Sequence, residues 1–479
     1  MLVGFVALYL LCSVGIGLYA AARVQNTKDF AVAGRSLPLP VVTATVFATW
    51  FGAEAVLGIS ATFVKDGLRG VVADPFGSSL CLILVGLLFA PRFYRMNLLT
   101  VGDFYRLRYS RTVEVLCTMA VVASYLGWVA AQFKALGLVL TVVTGGALSQ
   151  SWGMVIGALI VLTYTTFGGM FSVAILDFVQ ITIIMGGMLY IGSIVSGLAG
   201  GVETVIAHAA HAGKLDFFPP ASLNAWILFL GAWVTMMLGA IPQQDVFQRI
   251  TSAKNEATAV RGSLLGGTLY FAFCCIPMFL AYAATLIDPG RFLALLDTDS
   301  QRILPTLILE HTPLAAQIVF FGAVLSAVMS CSSATLLAPS VALSENVLKP
   351  MVSRLNDAEL LRIMRLVLMA FAGVVLAIAL WSDATIYKLV ESTYKVTLVV
   401  AFIPLLAGFY WSRASSQGAL AAIVAGLVSW LCGELMIPAD ALWPPQLVGL
   451  LAAAIGMVVG SLAPQVLSAT TEKQAVGSS

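Results

Sequence analysis

The sequence predicts an all-α polytopic membrane protein with about thirteen transmembrane helices, ten of them arranged as a five-plus-five inverted repeat. Three observations carry that expectation. Of 479 residues, 60% are hydrophobic and 10% charged, against about 25% charged in a soluble chain, and the mean hydropathy is +0.98. Apolar runs of about 20 residues, enough to cross ~30 Å of hydrocarbon, recur along most of the chain. Two of these runs are interrupted by glycine or proline beside polar residues, at matching places in the two halves.

The apolar runs fall at about 2–23, 40–63, 70–91, 113–144, 152–167, 173–198, 224–246, 260–286, 314–347, 360–382, 385–411, 416–437 and 443–463. The first lacks a basic start and a cleavage site, so it reads as a retained helix rather than a signal peptide. Runs two to six make five helices, and runs seven to eleven make five more. An odd-numbered unit repeated in tandem must return inverted. The expected organisation is a peripheral first helix and inner loop (1–39), a first repeat (40–199), an outer loop (200–223), a second repeat (224–411), then two further helices and a disordered tail (412–479). Small surface helices are expected in the two long outer loops, around 201–213 and 288–311.

Orientation follows from the basic residues. With the N-terminus outside, the inner loops and tail hold seventeen Lys and Arg and the outer loops five. The positive-inside rule then puts the C-terminus in the cytoplasm of a plasma (inner) membrane. All three histidines lie in the outer loops, which argues against a histidine proton relay or metal centre at membrane depth. The seven cysteines lie in or beside apolar runs without paired spacing, so no disulfide framework is expected. A net charge of +2 without a basic patch points to no nucleic-acid partner; the partners expected are the lipid bilayer, a small-molecule solute and an ion.

The chemistry is concentrated around FATWFGAEAVLG, residues 47–58. Glu54 stands at bilayer depth, where a charge costs at least ~2.5–3.5 kcal/mol and normally faces a cavity or a partner. Gly52 and Gly58 allow the helix to unwind and free carbonyl oxygens for a cation. The bland alternative is a glycine packing pair beside a buried ion pair. The second interrupted run, WVTMMLGAIPQQDVFQ (233–248), is broken by Gly239 and Pro242 and followed by Gln243, Gln244 and Asp245. In the ninth run, Ser326, Ser330 and Ser333 share one helical face; such serines either pack helices closely or supply neutral oxygens to a hard cation. Asp177 in the sixth run is either a functional carboxylate or a hydrogen-bonding group near the inner mouth. Lys134 is read three ways: snorkelling outward, pairing with Glu54, or touching a substrate carboxylate. Glu391 and Lys395, four apart, are expected to pair with each other. Trp50 either lines or merely plugs a central cavity. No nucleophile or metal constellation suggests an enzyme.

Several stretches in order complete a resemblance: GRSLP (34–38), the interrupted second helix, FGGMFSVAILDFVQ (167–180), IPQQDVFQR (241–249), the serine-rich ninth helix and PLLAGFYW (404–411). Together they resemble the sodium:solute symporter family over about residues 1–465. ATWFG (48–52) with GAIPQQDVFQR (239–249) is similar to its choline and proline branches. The resemblance implies a leucine-transporter-like fold with Na+ as the coupling ion. It implies a shared sodium site made by the carbonyls of Ala48, Phe51 and Ala327 and the side chains of Ser330 and Cys331. Cys331 stands where a second hydroxyl is usual, and sulfur is a soft ligand for a hard ion. Asp177 and Ser333 match a second cation site, in which Ala334 replaces a polar residue. Substrate contacts are expected from Trp50, Gly52, Glu54, Trp128, Lys134 and Gln243. The expected function is sodium-coupled import of a small organic solute, an amino acid such as proline or a betaine- or choline-like ammonium compound. The rivals are a proton-coupled or carboxylate-transporting carrier of the same fold and a transporter-like sensor module.

Overall fold

Polar caps mark where many of the helices begin. Asn26, Ser110, Ser149, Ser222, Asn255 and Thr385 each accept a hydrogen bond from a first-turn backbone N–H, and Thr100 with Asp103 and Asn356 with Glu359 form reciprocal capping boxes. Such caps satisfy amides that the helix itself leaves unpaired. The computed structural model describes residues 1–352, 355–436 and 443–466; the tail expected to be disordered begins at 467 and lies outside them.

The helices used below are α1 (Leu2–Ala21), α2 (Leu39–Trp50), α3 (Glu54–Asp66), α4 (Ala90–Met96), α5 (Val101–Arg108), α6 (Arg111–Val143), α7 (Gln150–Leu198), α8 (Leu223–Gly239), α9 (Gln244–Ser252), α10 (Glu256–Ile287), α11 (Leu314–Leu343), α12 (Asp357–Trp381), α13 (Ile386–Thr397), α14 (Ile403–Tyr410), α15 (Ser416–Met436) and α16 (Pro445–Leu462). Among the described residues ten helices are long and apolar enough to span a membrane. Two bent pairs, α2 with α3 at 53° and α8 with α9 at 46°, raise the number to twelve. At 49 residues, α7 would be roughly 70 Å long if straight, more than twice the hydrocarbon thickness. It is broken at Gly169, where φ 47° and ψ −139° turn the chain. Dividing α7 there gives thirteen crossing segments, in the places the apolar runs occupy.

Two layers of burial organise the bundle. The apolar stretches of the spans Leu68–Met96, which ends in α4, and Leu314–Met351, which begins with α11, are each 67% buried and that of α6 is 61%, whereas those of α1 and α16 are each 22% buried and that of α15 28%. The inner helices therefore line the centre and the outer ones face lipid. The two bent pairs meet at the centre: Arg249 of α9 donates to Thr49 of α2, and Trp50 of α2 donates to Asp245 of α9. Short helices Val202–His211, Pro289–Thr298 and Ile303–His311 occupy the long loops as expected.

Two expectations about charge fail. Arg249, expected in an inner loop, is 2% exposed and lies among the core helices, where it bonds Thr49 Oγ1 (3.0 Å), the Asp245 carbonyl (3.3 Å) and Gln248 Oε1 (3.4 Å). Lys395 does not pair with Glu391. Its Nζ lies 3.1 Å from Glu434 Oε1 of α15, because α13 packs near enough to α15 for a longer-range partner to replace the neighbour one turn away.

Gly169 is held by its surroundings as well as by its left-handed φ. A Cβ there would lie 2.5 Å from both the carbonyl oxygen and a ring carbon of Phe30. Gly169→Ala should lower stability by roughly 1–3 kcal/mol and reduce the thermal unfolding midpoint in detergent. Gly186→Ala, where a Cβ meets open space, should leave it unchanged.

Candidate functional site

The first break is built by the backbone. Phe51 leaves helical geometry at φ −83°, ψ 69°. The Gly52 N–H turns to Trp50 O (3.0 Å), and the Ala53 N–H goes to Gln132 Oε1 (2.9 Å). The carbonyls of Ala48 and Thr49 thereby lose their α-helical donors and become available to a cation. Gly52 has no room for a side chain. An added Cβ would sit 2.7 Å from Cys331 Cβ, 2.8 Å from Cys331 Sγ and 2.8 Å from Gln132 Oε1.

Above the break is a box of aromatic rings. Trp50 meets Trp128 edge to face with centroids 5.8 Å apart, stacks on Tyr394 at 6.1 Å and meets Tyr270 edge to face at 6.5 Å. Trp128 also contacts Tyr394 at 5.6 Å and stacks on Tyr125 at 5.9 Å. Four of these five rings are tethered by their polar edges to buried carboxylates. Trp128 Nε1 donates to Glu54 Oε1 (2.9 Å), Trp50 Nε1 to Asp245 Oδ2 (3.1 Å), Tyr270 OH to Asp74 Oδ1 (2.7 Å), and Tyr125 OH to Asp245 Oδ1. The Tyr394 hydroxyl is buried without a hydrogen-bond partner. The rings pack directly against one another, and the edges of four of them are fixed by carboxylates.

A second cluster lies one to two turns back along α2. Asp177 of α7 accepts from Thr45 Oγ1 and from Ser330 Oγ (2.5 Å) of α11. These oxygens converge from three helices, all buried. The sequence reading assigned Asp177 and Ser330 to separate cation sites; here they are hydrogen-bonded partners. Ser333 Oγ instead donates to the Ser330 carbonyl (2.9 Å), and the Ser326 and Tyr9 hydroxyls are bonded to each other (2.6 Å). Ala327 and Cys331 are fully buried on the same helix, with Cys331 Sγ 3.8 Å from Glu54 Oε1. The thiol therefore sits between the break and the box.

Lys134 takes no part in this centre. Its Nζ donates to the carbonyls of Ser382 (2.8 Å) and Ala384 (2.7 Å), after α12. Glu54 is satisfied instead by Trp128, by Gln132 Nε2 (2.7 Å) and by the Cys331 thiol. Lys134 is six residues past Trp128 on α6, which turns it to a different face from Trp128 and Gln132. Gln243 is buried at the second break and bonds Ser124 of α6 (3.0 Å), behind Tyr125 rather than among the rings.

Sequence reasoning missed Thr45, Asp74, Tyr125, Gln132, Tyr270 and Tyr394, and placed Arg249 in a loop. Asp74 carried the same signal as Glu54, a carboxylate inside an apolar run. The tyrosines carried none, since a tyrosine within a membrane helix reads equally as core or interface.

Two inverted halves, each opened by a broken helix, with carboxylates and freed carbonyls at the breaks, define a secondary active membrane carrier. The chain belongs to the sodium:solute symporter family, whose profile matches residues 30–426. It is 29% identical over 458 residues to the human high affinity choline transporter 1, covering 90% of this chain and 76% of that protein. It is 27% identical over 490 residues to the sodium/pantothenate symporter of Escherichia coli (strain K12), covering 97% and 98%. Its fold matches that of a substrate-bound, outward-open Na+-coupled sialic acid symporter, with TM-score 0.82 at 17% identity over 97% of this chain and 98% of the other. It also matches closed Mhp1, a nucleobase-cation-symport-1 family transporter, with TM-score 0.61 at 15% identity over 90% and 93%. The chain is therefore a multi-pass, sodium-coupled solute symporter and not an enzyme. Sodium is a co-transported substrate of such a carrier rather than a resident cofactor.

The separation of Lys134 from Glu54 has a measurable consequence. In a double-mutant cycle of Glu54→Gln and Lys134→Met, the effects on unfolding free energy should add to within about 0.5 kcal/mol. A coupling well above that value would mean the two charges interact.

Proposed function

We propose that this symporter imports a small quaternary ammonium alcohol of the choline class together with sodium, with the N-terminus outside the plasma (inner) membrane and the C-terminus in the cytoplasm. The observation that carries the reading is the aromatic box with its edges tied to Glu54, Asp74 and Asp245. A quaternary ammonium has no N–H to donate and is held by ring faces, each contact contributing ~0.5–2 kcal/mol according to desolvation. Carboxylates bonded to the ring edges add negative potential at those faces.

The charge balance supports the same class. At the centre of the bundle four buried carboxylates, Glu54, Asp74, Asp177 and Asp245, accompany one buried guanidinium, Arg249, among the described residues. Cationic cargo relieves that excess, whereas an anionic solute would add to it and a zwitterion would leave it in place. Proline and betaine each bring a carboxylate, and Lys134, the cation expected to receive it, is bound elsewhere. The unpartnered Tyr394 hydroxyl suits the alcohol of a choline-class solute.

Sodium is assigned to the break and the second cluster, using the Ala48 carbonyl, Thr45, Ser330 and Asp177. A hard ion prefers such oxygen donors. Phe51 and Ala327 carbonyls lie on the same two helices and complete the candidate set. Cys331, with its thiol toward Glu54, belongs to the solute side.

Proteoliposomes carrying the purified protein should accumulate labelled choline under an inward sodium gradient, with betaine competing weakly and proline, pantothenate and sialic acid not at all. Sodium-driven uptake of proline or a carboxylate in preference to choline would overturn the assignment. Trp50→Leu should nearly abolish uptake, Trp50→Phe should keep it at weaker apparent affinity, and Tyr394→Phe should weaken choline more than a tetraalkylammonium without a hydroxyl. Ser330→Ala and Asp177→Asn should raise the sodium concentration for half-maximal uptake about tenfold or more, as expected for losing one charge-assisted contact. An impermeant thiol reagent applied outside should label a cysteine at Thr298 and spare one at Ser412; the reverse pattern would invert the topology.

A further inference from the structure

The span Leu68–Met96 and the span Ile386–Tyr410 end beside each other. Their ends, α4 and α14, form with the short amphipathic α5 a groove of about 390 Å³, lined by Arg92, Arg95, Met96, Phe104, Leu107, Arg108, Gly408 and Phe409. The groove is a built feature. Phe104 stacks on Phe409 with centroids 4.3 Å apart, and a Cβ on Gly408 would lie 2.7 Å from the Phe104 ring. Only glycine lets α5 and α14 approach so closely.

Its charges are unequal in their freedom. Arg95 is neutralised by a bidentate pair with Glu256 (2.8 and 2.7 Å). Arg92 and Arg108 have no carboxylate within ion-pair distance among the described residues. Arg92 bonds Leu88 O (2.9 Å) and the Tyr410 hydroxyl (2.7 Å) and lies 4.2 Å over the Tyr410 ring. Arg108 bonds the carbonyls of Gly408 (3.1 Å) and Trp411 (3.2 Å). Both guanidinium groups are thus held in place by neutral partners, with their charge uncompensated. Beside them are exposed leucines, Leu88 at 43% and Leu107 at 67%.

We propose that this groove binds the headgroup of an anionic phospholipid of the adjacent leaflet. Two fixed guanidinium groups match a phosphodiester, for which arginine is the preferred donor. Basic clusters at the ends of membrane helices attract acidic lipids in this way. The exposed leucines are the reason to choose a lipid over a soluble anion, since acyl chains cover them at the same depth. The site joins α4 and α5 of the first repeat to α14 of the second, so the bound lipid bridges the two halves. It stands apart from the solute and sodium sites and does not depend on which solute is carried.

The test uses delipidated full-length protein in nonionic detergent, titrated with phosphatidylglycerol or phosphatidylcholine and read by native mass spectrometry. Phosphatidylglycerol should bind about tenfold or more tightly than phosphatidylcholine. The double variant Arg92→Gln, Arg108→Gln should lose most of that preference, by about tenfold, whereas Arg23→Gln with Lys28→Gln should retain it. Equal binding of the two lipids, an unchanged preference in the groove variant, or displacement by millimolar inorganic phosphate would each overturn the proposal. A photoreactive phosphatidylglycerol on the unmodified protein should label residues 92–108 and 408–411, independently of how the variants fold. Labelling confined to other segments would also overturn it.

Discussion

The centre of the molecule depends on the side chain of Gln132. In hydrocarbon an unsatisfied backbone group costs several kcal/mol, and a helix that breaks at Phe51 must dispose of its freed amides. Gln132 accepts the Ala53 N–H through Oε1 and donates to Glu54 through Nε2. One side chain thereby settles both the amide and the carboxylate that the break exposes. Trp128, one turn earlier on the same face of α6, holds the other oxygen of Glu54. The break is stabilised at its donor side and left open at its acceptor side, where the Ala48 and Thr49 carbonyls lie. The proposed cation site rests on that asymmetry.

The same helix, α2, contributes to both proposed sites, for ion and for solute. Thr45 bonds Asp177, Thr49 donates to Thr45 O (2.6 Å) and accepts from Arg249 Nε (3.0 Å), and Trp50 bonds Asp245. The Asp177 cluster and the aromatic box are therefore a turn or so apart on α2, with Arg249 of the second broken helix bonded between them. Coupling between two sites needs an element whose arrangement both can bias. On the proposed assignment the contact of α2 with α9 would be such an element, because moving either helix changes the Thr49–Arg249 and Trp50–Asp245 bonds together.

Much of this architecture was legible beforehand. Length and composition set the class, the two interruptions placed the broken helices, and Glu54, Asp177 and the serine face pointed to the centre. What escaped has a common physical character. The partner of Lys134 is a pair of carbonyls some 250 positions away in sequence, and that of Lys395 is a carboxylate on α15; helical spacing gives no information about either. A tyrosine joins the box only through the angle at which its helix crosses the others. Arg249 was misjudged because an arginine between two apolar runs ordinarily marks a loop, whereas here the break folds it back onto α2, where the Thr49 hydroxyl accepts from it.

The two breaks have divided their tasks. At the first, backbone carbonyls are exposed and a glycine keeps the space clear. At the second, Gly239 lies so near α13 that a Cβ would be 2.5 Å from Tyr394 O, and the chain beyond it presents side chains, Asp245 and Arg249, instead of carbonyls. Ion binding at a break made of backbone asks little of the local sequence, only that the helix unwind there. Solute recognition by ring faces and carboxylates depends on side-chain identity at a few positions. On the proposed assignment, side chains around the box can therefore change while the backbone offered to the ion is kept. That separation would, on the same assignment, let one backbone serve solutes as unlike as those for which related carriers are named, choline, pantothenate and iodide, with selectivity in this chain set at the rings around Trp50.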